Sequence, residues 1–262
     1  MLPKKFRPIN INKKYLIRIG PKGDGGYVIH KDAIKFTKQI ITLGLSDNWG
    51  FEKDFVKLNR DVKIEAYDHT INNNYWLKRF CKDFIHFFLL KKIRLSKILD
   101  IFKFIDYFIF FKNHKHYKFK IGKKRKEIDL KKIFLNKNFS FSSLLKIDIE
   151  GSEYDILDQV DKISNHINTL VIELHDIHRS YNKKKINNFF LNNKNLQLIH
   201  IHGNNYAGVN YNGDPNCVEL TMINKKKINI LKFVDRNVEY PVKNLDFPNF
   251  KRDNDIKLYF RN

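Results

Sequence analysis

The chain is poor in cysteine and lacks long uncharged apolar runs. Its two cysteines, Cys81 and Cys217, lie far apart, so they offer neither a disulfide framework nor metal-ligand spacing. Residues 1–8 contain no apolar stretch of the kind found in secretory signal peptides. No apolar run approaches the ~18 residues of a membrane-spanning helix. We therefore expect a cytoplasmic protein with reduced thiols.

Glycine is also scarce, and a short turn, residues 20–26, holds four of the 11 glycines. The turn lies between two β-rich runs, Tyr15–Ile19 and Tyr27–Ile29, which predicts a β-hairpin. No Gly-Lys-Ser/Thr sequence closes it, which excludes a phosphate-binding P-loop. The turn is either a plain hairpin connection or part of a ligand site.

The net charge of +22 allows two interpretations. It could attract nucleic acid, anionic lipid or an acidic glycan. It could also reflect mutational bias, because Lys, Asn, Ile and Phe are all abundant and all have codons made only of A and T. The basic residues are dispersed and do not interleave with aromatics as in RNA-binding motifs, which argues against nucleic acid as a partner.

The most informative segment, residues 144–154, reads LLKIDIEGSEY. Apolar β-formers lead into two carboxylates, Asp148 and Glu150, which period-2 geometry places on one side of a strand. A glycine and a serine then precede a helical pattern. A buried strand that delivers acids to a strand-to-helix turn is typical of ligand sites in open α/β sheets.

A related pattern lies upstream. Apolar residues 40–43 end at Gly44, residues 49–58 show helical spacing, and the β-rich run 62–67 ends at Asp68. A glycine followed about 20 residues later by an acid is typical of nucleotide-binding folds. The glycine lets a ligand approach the backbone, and the acid accepts hydrogen bonds from ribose hydroxyls. The pair therefore predicts a nucleotide-type ligand.

The alternation of strands and helices predicts an α/β protein with a Rossmann-like, seven-stranded sheet. In chain order, the predicted sheet strands are residues 40–46, 62–68, 117–122, 144–150, 168–174, 196–202 and 217–223. We expect three parts. They are an N-terminal hairpin segment at 1–36, a central domain at 37–223 with a helical insertion at 70–116, and a peripheral, loosely packed tail at 224–262.

The insertion contains an amphipathic helix. Apolar residues recur every three or four positions over residues 98–109, with Lys and Asp between them. The segment 84–111 could pack on the sheet, cover an acceptor site, self-associate or lie on a membrane surface. Asp100 and Asp106 count against contact with anionic lipid.

Four stretches carry a family resemblance: residues 18–28 (RIGPKGDGGYV), the Gly44–Asp68 pair, residues 146–153 (KIDIEGSE) and residues 171–175 (VIELH). On these stretches the chain resembles the FkbM-like group of S-adenosylmethionine-dependent methyltransferases. The resemblance covers most of the chain, residues 15–70 and 117–223. It implies a seven-stranded methyltransferase sheet, parallel except for the last-inserted strand, with S-adenosylmethionine as cofactor.

The resemblance also implies a cofactor site around the loop that follows the first sheet strand. Methyltransferases often carry an acid two residues before the first loop glycine, where this chain has Thr42. The candidate cofactor-binding residues are Gly44, Leu45, Ser46, Asp68, Asp148, Gly25, Gly26 and Tyr27.

Further polar residues end the later strands, on the side expected to face one cleft. A spacing of two puts Glu173 and His175 on one strand face. Carboxylates with a histidine suit proton removal from a hydroxyl and also suit Mg²⁺. The candidate catalytic residues are Asp148, Glu173, His175 and His202, and the candidate Mg²⁺ ligands are Asp148 and Glu173. Helix capping for Asp148 and a structural hydrogen bond for His175 are the alternatives.

Together these features predict an O-methyltransferase. The fourth sheet strand does not end in the Asp/Asn/Ser-Pro-Pro-aromatic motif that, by resemblance, accompanies methylation of amino groups. The expected acceptor is a small molecule or glycan, namely a sugar hydroxyl of a cell-surface glycan or a glycosylated metabolite. The alternatives are an RNA methyltransferase, which the charge would favour, and a non-enzymatic membrane-peripheral scaffold that uses residues 84–111.

Overall fold

The computed structural model describes residues 1–88, 102–135, 143–228 and 238–261. Within them the strands are β1 Leu16–Ile19, β2 Tyr27–His30, β3 Gln39–Leu43, β4 Lys63–Tyr67, β5 Lys115–Tyr117, β6 Ser143–Ile147, β7 Ile167–Leu174, β8 Leu196–Val209 and β9 Pro215–Asn224. The α-helices are α1 Lys31–Phe36, α2 Gly50–Leu58, α3 Asn73–Phe88, α4 Phe102–Lys112, α5 Leu130–Leu135, α6 Glu153–Ile163 and α7 Ser180–Asn192.

Strands β3 to β9 form one seven-stranded sheet in the order β5–β4–β3–β6–β7–β9–β8. The pairs from β5 to β7 are parallel, and β9 runs antiparallel between β7 and β8. The predicted Rossmann-like sheet, with the last strand inserted in reverse, is therefore confirmed. The chain order reverses at β3 and β6, and open α/β sheets bind ligands at such a switch point.

One side of the sheet, here called the apolar face, packs under α5, α6 and α7. Strand alternation points every second side chain of β3, β6 and β7 to this side. Seven residues on this side are buried hydrophobics: Ile41, Leu43, Leu145, Ile147, Leu170, Ile172 and Leu174. Each contributes roughly 1.5–3 kcal/mol of burial free energy, so this face is a main source of stability.

The opposite side is covered by α2 and by the antiparallel β1–β2 hairpin. Near the amino ends of the strands this side is an apolar layer that contains Ile40, Leu144 and Val171. Towards the carboxyl ends of the strands it becomes a polar cluster, which comprises Lys146, Asp148, Glu173, Glu219 and His202. Glu219 is the Cα partner of both Glu173 and His202, so these side chains share one side of the sheet.

Four predicted strands differ in extent from those observed. The strands expected at residues 40–46 and 144–150 end earlier, at Leu43 and Ile147, so Asp148 and Glu150 follow the strand instead of lying on it. The strand expected at residues 117–122 lies at Lys115–Tyr117 instead. Its neighbour β4 ends at Tyr67, opposite Tyr117, so the following residues have no strand to pair with. The strand expected at residues 196–202 continues to Val209, because β9 turns back along it as a hairpin partner.

The insertion forms α3 and α4 in the described part of the chain, and residues 98–101 of the predicted helix lie outside it. Tyr107 of α4 is buried, with its ring 5.6 Å from Trp49 and 5.2 Å from Trp76. Asp106 accepts hydrogen bonds from Trp49 Nε1 and Lys53 Nζ at 2.9 and 2.7 Å. Helix α4 therefore packs against the domain, although several of its apolar side chains remain exposed, namely Phe102, Phe104, Ile105, Phe108 and Ile109.

The expectation that the C-terminal segment packs loosely is wrong for residues 238–261. Tyr240, Val242 and Leu258 are buried in the same core as the apolar face. Asp246 accepts hydrogen bonds from His200 Nε2 and from the backbone N–H of Val242. The segment is rich in charged residues, but several of its apolar residues and two of its acids, Asp246 and Asp255, find partners on the sheet.

In the described part of the chain, no helix combines the length and the apolar character that crossing a bilayer requires.

Candidate active site

A cleft of about 240 Å³ lies at the carboxyl ends of β3, β4 and β6, at the switch point of the sheet. Four of the predicted cofactor-binding residues line it: Gly44, Ser46, Asp68 and Asp148. Leu45 is buried beside the cleft and is not part of its wall. The volume approaches the lower end of the range for small-molecule sites, about 300 Å³.

Gly44 shapes the cleft through its backbone. Its φ of +80° is a left-handed conformation that side chains disfavour. A Cβ at this position would lie 1.6 Å from the carbonyl oxygen of Asp148. The missing side chain therefore lets the loop after β3 pack directly on the end of β6, which brings both strand ends to one cleft.

Asp68 holds the same loop in place. Its Oδ2 accepts hydrogen bonds from the backbone N–H groups of Leu45 and Ser46, at 2.9 and 2.8 Å. Its Oδ1 accepts from the N–H and the hydroxyl of Thr70, both at 2.6 Å. Burial alone would raise the pKa of Asp68, but these hydrogen bonds lower it, so the carboxylate stays charged. The acid predicted to bind ribose thus also organises the loop.

The glycine-rich turn does not reach the cleft. Gly26 lies where a Cβ would meet the carbonyl of Pro21 at 2.1 Å, and Gly25 packs on Asn48. Arg18 holds the turn by donating to the carbonyl oxygens of Pro21 and Gly23. Gly25 and Gly26 therefore shape the hairpin that carries Tyr27.

Tyr27 joins two acids of the polar cluster. Its buried hydroxyl lies 3.0 Å from Oδ2 of Asp148 and 3.4 Å from Oε2 of Glu173, and it can donate to one at a time. Burial raises the pKa of Asp148 to about 6, against the positive charges of Lys146 and His175. Burial and the neighbouring Asp148 raise the pKa of Glu173 well above its usual range. Asp148 is therefore charged at neutral pH, and Glu173 is favoured in its neutral form.

A buried lysine lies beneath these acids, and the sequence analysis missed it. Lys146 Nζ lies 3.5 Å from Oε1 of Glu52, which also accepts a 2.7 Å hydrogen bond from Thr42 Oγ1. Despite burial, Glu52 and Asp148 raise the pKa of Lys146, so it carries a positive charge. Glu52 of α2 therefore brings a carboxylate to Thr42, the position where related enzymes often have an acid. The sequence signal that could have identified this buried charge is a lysine inside the apolar run 144–147.

His175 lies at the end of β7, next to the cleft. Its Nδ1 is 2.9 Å from Oε1 of the fully buried Glu153, while its Nε2 lies 3.5 Å from Glu150 and 3.6 Å from Glu173. Burial opposes the charge, but Glu153, Glu173 and Asp148 raise the pKa of His175 to about 9. The ring is therefore an oriented cation at neutral pH, with Nε2 directed towards the acids.

His202 belongs to the polar cluster but has no free ring nitrogen. Nδ1 lies 3.0 Å from Glu219 Oε2, and Nε2 lies 2.8 Å from Asp255 Oδ1 of the C-terminal segment. Burial opposes the charge, yet these two acids raise the pKa of His202 to about 10. The geometry assigns His202 to holding the C-terminal segment on the sheet, with no nitrogen left to accept a proton from a substrate.

The predicted Mg²⁺ ligands, Asp148 and Glu173, do not fit that ion as they stand. The Tyr27 hydroxyl occupies the position between them, and Glu173 Oε1 already accepts from Asn204 Nδ2 and Cys217 Sγ, at 2.6 and 3.0 Å. Metal-type donor groups do lie together here, as Glu173–His175–Cys217 and as Asp148–Glu150–His175. A thiol is a poor ligand for Mg²⁺.

The sheet order and the strand-end cleft define a Rossmann-like α/β protein with a candidate ligand site at the switch point of its sheet. A family model, the methyltransferase FkbM domain, matches residues 23–206, which is well over half of the chain. The chain belongs to this family. No curated protein matches the sequence significantly.

Several solved structures are similar to this chain at low identity. Fibrillarin from Aeropyrum pernix with bound S-adenosyl-L-methionine is 9% identical, at a TM-score of 0.39, over 73% of this chain and 68% of that one. Precorrin-6y C5,15-methyltransferase from Geobacter metallireducens is 12% identical, with a TM-score of 0.35, and the match covers 73% of this chain and 84% of that one. TrmK from M. capricolum with S-adenosyl-homocysteine is also 12% identical, with a TM-score of 0.35, and the match covers 79% of this chain and 70% of that one.

Proposed function

We propose that this chain transfers a methyl group from S-adenosylmethionine to a hydroxyl of a sugar, in a cell-surface glycan or a glycosylated metabolite. The observation that carries the proposal is Asp148. It is the one residue of the polar cluster that also lines the cleft at the switch point. With a pKa of about 6, its carboxylate is mostly deprotonated at neutral pH and matched to accepting a proton there.

The cleft is the proposed cofactor site. The loop at Gly44 and Ser46 forms one wall, and Asp68 lies at the end of the adjacent strand. Both oxygens of Asp68 already accept hydrogen bonds from Leu45, Ser46 and Thr70. A ribose hydroxyl that binds Asp68 must share those lone pairs, so Asp68 contributes to cofactor affinity directly and through the loop it holds.

S-adenosylmethionine held in the cleft would supply a sulfonium methyl group for an in-line displacement by the acceptor oxygen, and the C–S electron pair would remain on its sulfur. Asp148 takes the proton of the acceptor hydroxyl. Tyr27 donates a hydrogen bond that fixes the orientation of the Asp148 carboxylate. The cationic His175 stabilises negative charge that develops on the acceptor oxygen. Holding donor and acceptor aligned supplies a further part of the rate enhancement.

An RNA acceptor is the second candidate, and the net charge of +22 is its support. The immediate site argues against it, because the carboxylates of Glu150 and Asp148 would repel a phosphate backbone. Contact of residues 84–111 with a membrane surface is a separate proposal that the exposed side chains of α4 support.

Calorimetric titration with S-adenosylmethionine, with and without Mg²⁺ and EDTA, tests the cofactor site first. We expect micromolar binding that EDTA leaves unchanged and that Asp68→Ala weakens. Methyl transfer from labelled cofactor to free glycosides, to phenols and to RNA then tests the acceptor class. Absence of cofactor binding would refute the proposal, and steeply salt-dependent methylation of RNA would replace the sugar with the second candidate.

A further inference from the structure

We infer that Tyr206, on the β8–β9 hairpin, is a stacking platform for the pyranose ring of the acceptor. The inference rests on the proposed function and names how the site selects a sugar. Leu174, the last residue of β7, pairs with Val218, so the hairpin continues beyond the end of β7. It therefore projects from the same edge of the sheet that carries Asp148 and Glu173.

The side chain of Asn204 connects Tyr206 to the polar cluster. Asn204 Nδ2 donates to Glu173 Oε1 at 2.6 Å, and Asn204 Oδ1 accepts from the backbone N–H of Tyr206 at 2.9 Å. The position of the Tyr206 backbone is thus set by the same acid that contacts Tyr27. Asn204 therefore links the strand that carries Tyr206 directly to the acids of the site.

The Tyr206 ring is exposed to solvent, and its orientation is fixed by an edge contact with another aromatic ring. It is 75% exposed, and its edge packs on Phe250 with ring centres 5.8 Å apart and planes at 79°. Asn205 fixes Phe250 in turn, because its Oδ1 accepts from the Phe250 N–H at 2.8 Å and its Nδ2 donates to the Phe250 carbonyl at 3.0 Å. An aromatic ring held against solvent by these contacts offers a binding surface at low entropic cost.

The acids of the active site favour a neutral sugar over a nucleobase as the ligand of this ring. Both have a face that stacks on tyrosine, since the C–H face of a pyranose is apolar and its rim is polar. A nucleobase brings phosphates with it, and the acceptor atom of any ligand must reach the carboxylates of Asp148 and Glu150. A sugar hydroxyl brings no charge and can reach Asp148 without that repulsion.

The test compares Tyr206→Ala with Tyr206→Phe and with Tyr211→Ala, which removes a 97% exposed ring at the tip of the same hairpin. Binding of methyl glycosides is followed by saturation-transfer NMR in the presence of S-adenosylhomocysteine. Methyl transfer to the same glycosides gives KM and kcat. We expect Tyr206→Ala to raise KM about tenfold with little change in kcat, which corresponds to about 1.4 kcal/mol. Tyr206→Phe and Tyr211→Ala should retain wild-type KM.

Unchanged glycoside binding in Tyr206→Ala would overturn the inference while methyl transfer to sugars left the proposed function intact. Tyr206-dependent glycoside binding without methyl transfer would support the platform and refute the proposed function. If the wild type binds no glycoside and Tyr206→Ala weakens the binding of oligouridylate, the ring contacts a nucleobase and the inference is overturned. Cofactor affinity and thermal unfolding of Tyr206→Ala should match the wild type, because the ring is exposed.

Discussion

The apolar face and the polar cluster occupy opposite sides of the same strands, and they are stabilised in different ways. On the apolar face, residues such as Leu145 and Ile172 each contribute burial free energy to many neighbours at once. In the polar cluster, Lys146, Glu173 and His202 are stable in the interior only because specific partners neutralise or hydrogen-bond them. One side tolerates exchange of similar residues, and the other depends on individual atoms.

The partners of the polar cluster come from distant parts of the chain. Tyr27 is supplied by the N-terminal hairpin, Glu52 by α2 and Asp255 by the C-terminal segment. Buried ionic groups are weak evidence for stability, because desolvation offsets much of their attraction. Their concentration beside the cleft is therefore better explained by the chemistry proposed for Asp148 than by folding alone.

Replacing Asp148 with Asn should produce the largest effect, because it removes the proposed base and preserves its size. We expect kcat to fall by about 10²–10⁴-fold while S-adenosylmethionine affinity changes little. Wild-type activity should decline as the pH falls below about 6, where the Asp148 carboxylate takes up a proton. Steady-state kinetics across pH measures both effects. Asp155→Asn, at an exposed position of α6, is the control, and a variant at residue 148 with near-normal kcat would exclude a base there.

Gly44→Ala should disturb the contact between the two strand ends at the cleft. The new Cβ would have to adopt φ +80° and move away from the Asp148 carbonyl. Backbone strain and overpacking together should lower the free energy of unfolding by about 2–5 kcal/mol. Gly213→Ala is a matched control, because its φ of +77° is similar but a Cβ there meets nothing within 4 Å. Equal losses in urea denaturation would show that strain alone matters at residue 44.

The contrast between the two sides also explains what the sequence could predict. The alternation of apolar residues predicted the strands. Acidic residues at or just after the carboxyl ends of those strands predicted Asp68, Asp148 and Glu173 as site residues. Both are local patterns, and parallel strands necessarily bring their carboxyl ends to one edge. The pairing of Asp68 with the backbone of Leu45 and Ser46 is not local, so its role in holding the loop was not predicted.

Residues of the polar cluster were harder to predict because their partners have no fixed spacing. His202 has the same sequence signal as His175, a histidine at a strand end. Only the fold shows that Glu219 and Asp255 occupy both nitrogens of His202. Lys146 was visible as a charge in an apolar strand, but its partner Glu52 lies in a helix far upstream.

His202→Gln should separate the stabilising role of this cluster from its chemistry. The folded-state pKa of about 10 lies above the usual value of about 6.5. The charged ring therefore contributes its full stability below about pH 6.5, and this is lost as the pH rises through about 10. The substitution should cost about 1.5–3 kcal/mol at neutral pH and flatten the decline in stability at alkaline pH.

Denaturation curves from about pH 6.5 to about pH 10 give this comparison directly. The control is His69→Gln, at an exposed position, which should keep the wild-type pH dependence. If wild type and His202→Gln lose stability in parallel over this range, His202 is not a charged link between Glu219 and Asp255. Retained kcat in His202→Gln would agree with its assignment as a positioning residue for the C-terminal segment.

The smallest effect is expected at an ion pair on the surface. Lys123 Nζ contacts both oxygens of Asp158 at 2.7 and 2.8 Å, a geometry at least as close as that of the buried pairs. Both side chains are exposed, so water and salt screen the attraction, and Asp158→Asn should cost less than about 1 kcal/mol. Denaturation should be measured at low and at high salt. At high salt the loss at Asp158 should disappear, whereas the effect of His202→Gln should persist. A loss at Asp158 as large as that at His202 would mean that contact distance determines the stability of these pairs, and the distinction drawn from burial would fail.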